Sequence, residues 1–232
     1  MIQVRKAADR GIVDHGWLLA RHTFSFANYH DPAHVHFRDL RVINEDTVKP
    51  GEGFGTHPHA DMEIVTYVLE GALEHNDSMG NRGVLRPGDV QVMSAGTGLT
   101  HSEVNHSRTE DLHLLQIWIL PDRKGHEPRW EDRFYSADER RDRLCLVASG
   151  DPASGALHIH QDASVHAALL SSGAEVAHDL AAGRHAWIQV AAGTVELDGI
   201  ELAAGDGAAV SDAPRLTLRA RDDAELLLFD LR

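Results

Sequence analysis

The chain of 232 residues has a single cysteine, Cys145, so no internal disulfide can form and a reducing compartment is expected. Cys145 sits in the apolar run Leu144-Cys145-Leu146-Val147. That context predicts a buried strand residue rather than a nucleophile. Long apolar runs are also missing. The longest, around Leu114 to Leu120, falls well short of the ~20 residues that span a bilayer as a helix. The opening residues, Met1-Ile2-Gln3-Val4-Arg5-Lys6, carry no apolar core of a signal peptide. A soluble, cytoplasmic protein with no membrane partner is expected. Basic residues are scarce: 22 Lys and Arg against 36 Asp and Glu give a formal net charge of −14. Nucleic-acid affinity rests on clustered cations, so a nucleic-acid partner is not expected. The most basic stretch, Arg140-Arg141-Asp142-Arg143, is broken by an acid and reads as solvated surface.

No long segment keeps a 3.6-residue apolar period, which leaves little room for helices. Short strand-like runs separated by Gly, Pro, Asn and Asp dominate instead. Examples are Glu63 to Leu69, Val90 to Met93 and His113 to Ile119, with turns at Glu70-Gly71, at 76–81 and at Arg86-Pro87-Gly88-Asp89. The spacing predicts an all-β sandwich or barrel. A polar segment from Pro121 to about Arg143 reads as an inter-domain connection with a helical turn capped by Ser136. It divides the chain into 1–135 and 136–232. The halves look like weak repeats: Tyr67 to Glu74 aligns with Gln189 to Glu196, and Leu85-Arg86-Pro87-Gly88-Asp89 with Leu202-Ala203-Ala204-Gly205-Asp206. This alignment sets His57 on Asp179, His59 on Ala181, His101 on Leu218 and Glu103 on Ala220. The second half keeps the scaffold pattern and lacks the histidines.

Seventeen histidines is a high count, and two short strings stand out: His57-Pro58-His59 and His101-Ser102-Glu103. Each puts ligand-type side chains at i and i+2, which share one face of a strand. Two such strands facing each other across a barrel would gather three imidazoles and a carboxylate around one point. That donor set suits a divalent transition metal, and the absence of cysteine argues against a closed structural zinc site. Glu63 competes for the fourth position. It needs a turn at Ala60-Asp61 to reach back, whereas Glu103 shares a face with His101. Glu103 is therefore favoured as the ligand, with Glu63 as an acceptor that orients a ligand histidine. Pro58 is tolerable only on an edge strand or at a bulge. The remaining histidines, including His22, His75, His126, His158 and His160, are expected to be solvated or locally hydrogen-bonded.

These strings resemble a known family. Gly55-Thr56-His57-Pro58-His59, Glu63 and Tyr67 to Gly71 resemble the first cupin motif, and Arg86 to Asp89 with Gly96 to Glu103 the second. The variants are similar to those of pirins. So are His22-Thr23-Phe24-Ser25-Phe26, His75 with Asp77-Ser78-Met79-Gly80, and Gln116 to Pro121. The resemblance implies a bicupin of two double-stranded β-helix (jelly-roll) barrels packed face to face, with metal only in the first. It implies iron held by His57, His59, His101 and Glu103; Zn, Ni, Cu and Mn also suit the donors. Bacterial pirin-like proteins resemble quercetin 2,3-dioxygenases, which open a flavonol ring with O2 and release CO. Glu103 would then also be the catalytic proton acceptor, and Phe24, Phe26, Phe54, Met62, Met93 and Trp118 the candidate apolar walls. Animal pirins are instead metal- and redox-dependent regulators with protein partners, which supplies an alternative reading. The expected partners are a small aromatic substrate and O2, with the chain acting as a monomer.

Overall fold

A computed structural model describes residues 1–232. Its strands are β1 (Ile2–Arg5), β2 (Gly11–Asp14), β3 (Leu18–His22), β4 (Leu40–Val48), β5 (Gly53–His59), β6 (Glu63–Glu70), β7 (Leu73–Asp77), β8 (Arg82–Leu85), β9 (Asp89–Ser94), β10 (Leu99–Asn105), β11 (Leu112–Ile119), β12 (Arg129–Phe134), β13 (Cys145–Ser149), β14 (Leu157–His158), β15 (Ala163–Leu170), β16 (Glu175–Asp179), β17 (His185–Ala192), β18 (Thr194–Leu197), β19 (Ile200–Ala203), β20 (Gly207–Val210), β21 (Arg215–Ala220) and β22 (Ala224–Leu231). The one α-helix, α1 (Ala137–Arg140), starts at Ser136 with a full capping box closed by Glu139, as the sequence predicts. No helix is long and apolar enough to cross a membrane.

The chain forms two compact units, neither of them contiguous. The first comprises Gly11–Phe134 with Leu157–Gln161; the second comprises Met1–Arg10, Tyr135–Ala156 and Asp162–Arg232. The polar connection expected from 121 to 143 is only partly a connection, because Arg129–Phe134 pairs with β9 as an edge strand. Its charged residues and the lack of an alternating buried face kept it from reading as a strand. Cys145 does lie on a strand, but it is half-buried rather than buried.

In the first unit a sheet ordered β12-β9-β6-β11-β4-β3-β2 packs with a second ordered β5-β10-β7-β8. The second unit repeats this plan, with β1-β20-β17-β22-β15-β13 beside β16-β21-β18-β19. Both are cupin-type jelly rolls. The strand register corrects the repeat alignment by two residues. His75 and Leu197 each lie four residues past a turn glycine, Gly71 or Gly193; Glu103 pairs with His75 and Leu218 with Leu197. Glu103 therefore corresponds to Leu218 and His101 to Leu216. The slip arose because the 86–101 stretch is longer than its counterpart and the motif gave no register. Ligands are missing from the second copy either way.

That substitution decides what fills each barrel. In the second unit Leu197, Leu216 and Leu218 join Ile188, Val190, Leu226 and Leu228 in one buried apolar cluster. In the first unit two separate apolar clusters flank the corresponding positions. One is built on Leu18, Val48, Leu73, Leu112 and Leu114, the other on Ile64, Met93, Ala95 and Leu99. Polar side chains occupy positions that are apolar in the other barrel, and the cost of burying them requires that each find a partner.

Candidate metal centre

The two histidine strings meet, though not across the barrel. β5 and β10 are antiparallel neighbours in one sheet, and His57 lies directly opposite His101. β5 is an edge strand, which is where Pro58 is tolerated. A register shift between His101 and Glu103 leaves three steps on β5 against two on β10, so Phe54 rather than Gly55 stands opposite Glu103. The bulge flips the inward parity, and Phe54 joins His57 and His59 on the cleft side. Gly53 fits only as glycine: a Cβ there would lie 2.3 Å from the Glu103 carbonyl oxygen.

The rings of His57, His59 and His101 have centroids 4.4–4.8 Å apart. One ligand nitrogen from each falls within 4.8 Å of the others. His57 Nδ1 lies 2.8 Å from the Gly55 carbonyl. A carbonyl only accepts, so this nitrogen carries the proton and Nε2 keeps its lone pair. That Nε2 points at His101 Nε2, 3.0 Å away. Burial, reinforced by His57, lowers the His59 pKa to about 4. Burial together with His57, His59 and His75 lowers that of His101. The rings of His59 and His101 are thus held in the neutral, ligand-competent form. Two ring nitrogens face each other at 3.0 Å, His101 Nδ1 has no partner, and three imidazoles gather at one place, a donor set that fits a divalent transition metal.

Glu103 is buried beside this cluster and forms a second close group with His101 and His75. Its carboxylate is fixed from behind: Gln116 Nε2 donates to Oε2 at 2.7 Å, and the Thr66 hydroxyl lies 3.5 Å from Oε1. Burial outweighs these bonds and raises its pKa to about 7. Glu63 is engaged elsewhere. It accepts from Ser94 Oγ at 2.7 Å and faces His160 Nδ1 at 3.3 Å. It touches no histidine of the triad, so the orienting role expected for it is not seen.

The cluster opens into a cleft of about 240 Å³ lined by Leu18, Ala20, His22, Phe26, Asn44, Asp46, Phe54, His57, His59, Glu103, Gln116 and Trp118. Three of the six expected apolar walls are therefore present, and Trp118 packs edge-on to both Phe26 and His59. Phe24 is buried and does not line the cleft; Met93, and Met62 beside it, belong to the core packing behind Trp118. Three polar residues escaped the sequence reading. His22, expected to be solvated or locally hydrogen-bonded, is hydrogen-bonded and buried, with its Nδ1 2.8 Å from Asn44 Oδ1, but its place in the cleft was not foreseen. Asp46 lies two residues on, with its pKa raised to about 7 by burial and then by Glu103 and Glu45. The available signal was the alternation Val42-x-Asn44-x-Asp46-x-Val48, which puts polar residues on the inward face of an otherwise apolar strand.

Comparison with known proteins places this architecture. The pirin family model matches residues 2–119. This chain belongs to the pirin family. A model described as the quercetinase C-terminal cupin domain matches residues 146–231 of the same pirin. The chain is 50% identical to a quercetin 2,3-dioxygenase of Escherichia coli K12 over 231 residues, covering 100% of this pirin and 99% of that protein. It is 48% identical to a putative quercetin 2,3-dioxygenase of Pseudomonas aeruginosa, with both chains covered in full. The crystal structure of the E. coli pirin YhhW in complex with nickel(II) superposes with a TM-score of 0.95 at 49% identity, covering 100% of this chain and 99% of that one.

Proposed function

We propose that this pirin is a metal-dependent dioxygenase of the quercetin 2,3-dioxygenase type, with one divalent transition metal held by His57, His59, His101 and Glu103. The observation that carries the reading is the convergence of three imidazoles beside a buried carboxylate at the wall of an aromatic cleft. Full-length similarity to proteins named for this activity supports it. The donors suit iron, which we assign as the working metal. They also suit nickel, the ion of the E. coli pirin complex.

A metal held by His57, His59, His101 and Glu103 would supply a Lewis-acidic centre for the adjacent hydroxyl and keto oxygens of a flavonol. The protein's own groups do the rest. The His57 ring is locked by the Gly55 carbonyl, so its free nitrogen is fixed toward the site. Gln116 holds the Glu103 carboxylate in place beside His101, where in this reading it takes the 3-hydroxyl proton as the flavonolate forms. Phe26, Phe54 and Trp118 offer flat apolar surface to the ring system and keep water from the electron-rich anion. Reaction of that anion with O2 opens the central ring and releases CO.

Oxygen uptake with quercetin tests the reading. Metal-loaded protein should consume one O2 per quercetin with release of CO, and Glu103→Gln should lose at least about 100-fold in kcat. Metal-loaded protein that binds quercetin and consumes no oxygen would contradict it.

A further inference from the structure

The polar wall of the cleft is satisfied through a continuous relay. Trp130 Nε1 donates to Gln91 Oε1 at 2.7 Å, and Gln91 Nε2 to Thr66 Oγ1 at 3.2 Å. Thr66 Oγ1 donates to Gln116 Oε1 at 3.0 Å, and Gln116 Nε2 to Glu103 Oε2 at 2.7 Å. On β4, Asn44 is engaged by His22. Asp46 breaks this pattern. It shares the inward face of β4 with Asn44, it is buried, it lines the cleft, and its Oδ1 has no hydrogen-bond partner. Its register neighbours explain why. Ala20 on β3 and Leu114 on β11 flank it, and neither side chain carries a donor. Ala20 and Asp46 both line the cleft, so only a short side chain stands beside the carboxylate there.

A buried carboxylate oxygen with no donor is costly, and the residues around it are arranged so that nothing in the protein supplies one. The group that completes it must come from the ligand and must carry an N–H or O–H. Trp118 Nε1, in the same cleft, is also unpartnered. Two residues of the cleft lining thus carry one unmet acceptor and one unmet donor in addition to the metal-binding groups. An aromatic ring that bears hydroxyls beyond the chelating pair meets both requirements, since a phenol donates and accepts.

We propose that Asp46 sets the ligand specificity of the cleft by accepting a hydrogen bond from a hydroxyl of the bound aromatic other than the chelating one. The proposal takes the ligand class from the proposed function and adds the selection among its members. A site built to hydrogen-bond a hydroxyl rejects the analogue lacking it, because the buried acceptor is then left bare.

Anaerobic titration of nickel-loaded protein, followed by quenching of tryptophan emission, tests this without turnover. The probes are quercetin and 3-hydroxyflavone, which share the chelating pair but differ in the remaining hydroxyls. Wild type should bind quercetin about 10–100-fold more tightly, the range expected for a hydrogen bond to a buried charged group. Asp46→Ala should bring the two affinities within about 3-fold of each other, mainly by weakening quercetin. Asp46→Leu, which fills the same space without an acceptor, carries the same expectation should the alanine variant not fold. A wild type without preference, or a variant that keeps the wild-type ratio, overturns the proposal. The two readings fail separately. Selective, Asp46-dependent binding without oxygen consumption sinks the dioxygenase and leaves the specificity assignment standing. Oxygen consumption with an unaltered ratio in the variant does the reverse.

Discussion

Replacing Glu103 by Gln separates what this carboxylate costs the metal-free protein from what it contributes to the loaded one. Burial raises its pKa from 4.5 to about 7. The folded metal-free protein therefore keeps a proton that the unfolded chain has lost across that interval. Stability falls as pH rises from about 4.5 to 7 and is level above, since the native state binds more protons throughout the window. A gap of about 2.5 pH units corresponds to about 3 kcal/mol at 1.36 kcal/mol per unit. The Gln side chain has the same shape, stays neutral and can still accept from Gln116 Nε2 through its oxygen. Metal-free Glu103→Gln should thus match wild type near pH 4.5 and exceed it at pH 8 by up to about 3 kcal/mol. At roughly 3 °C per kcal/mol for a chain of this size, melting should rise by up to about 9 °C. Added nickel should reverse the order, raising the wild-type melting temperature well above that of the variant, because only wild type offers the anionic ligand. Scanning fluorimetry at pH 4.5 and 8, with and without nickel, reads all four states. A variant less stable than wild type at pH 8 without metal, or one with an undiminished nickel-induced rise, refutes the reasoning.

Metal affinity of wild type should climb as pH rises toward 7 and then level off, because Glu103 must lose its proton while His59 is already neutral well below that pH; calorimetry in buffers of different ionisation enthalpy should register proton release near pH 6. His57→Ala with His59→Ala should reduce bound metal from about one equivalent to near zero by elemental analysis, since a lone imidazole and carboxylate hold a divalent ion weakly. Glu63→Ala should leave metal content unchanged while costing about 1–3 kcal/mol in urea unfolding, because Ser94 and His160 lose their buried partner. Gly53→Ala should lower both metal content and stability, because its Cβ would collide with the β10 backbone at Glu103 and push β5 away from His101. Leu218→Ala, in the filled second barrel, should cost about 2–5 kcal/mol without changing metal content.

The legible parts of the fold were those written in local alternation. Glu63 to Leu69, Val90 to Met93 and His113 to Ile119 each became a strand within a residue or two of its expected ends. The i, i+2 rule put His101 and Glu103 on one buried face because β10 alternates without interruption. What the sequence concealed was long-range pairing. Nothing in His57-Pro58-His59 says that β5 lies next to β10 rather than across from it. Nor does it say that a bulge turns Phe54 inward, since strand partners and bulges are set by tertiary packing. Asp46 and His22 were passed over for a related reason. Each is a single polar residue whose role arises only when β3, β4 and β10 share one cleft. Arg129–Phe134 was hidden by its charge, which an edge strand tolerates on its open side.

The account rests on one cation held jointly by His57, His59, His101 and Glu103. A crystal structure of the metal-loaded protein with anomalous diffraction at the metal edge measures that directly. The expected result is a single peak in the first unit at about 2.0–2.2 Å from Nε2 of the three histidines and from one Glu103 oxygen. A peak elsewhere, or one at the three imidazoles with Glu103 still turned toward Gln116 and out of bonding distance, would contradict it.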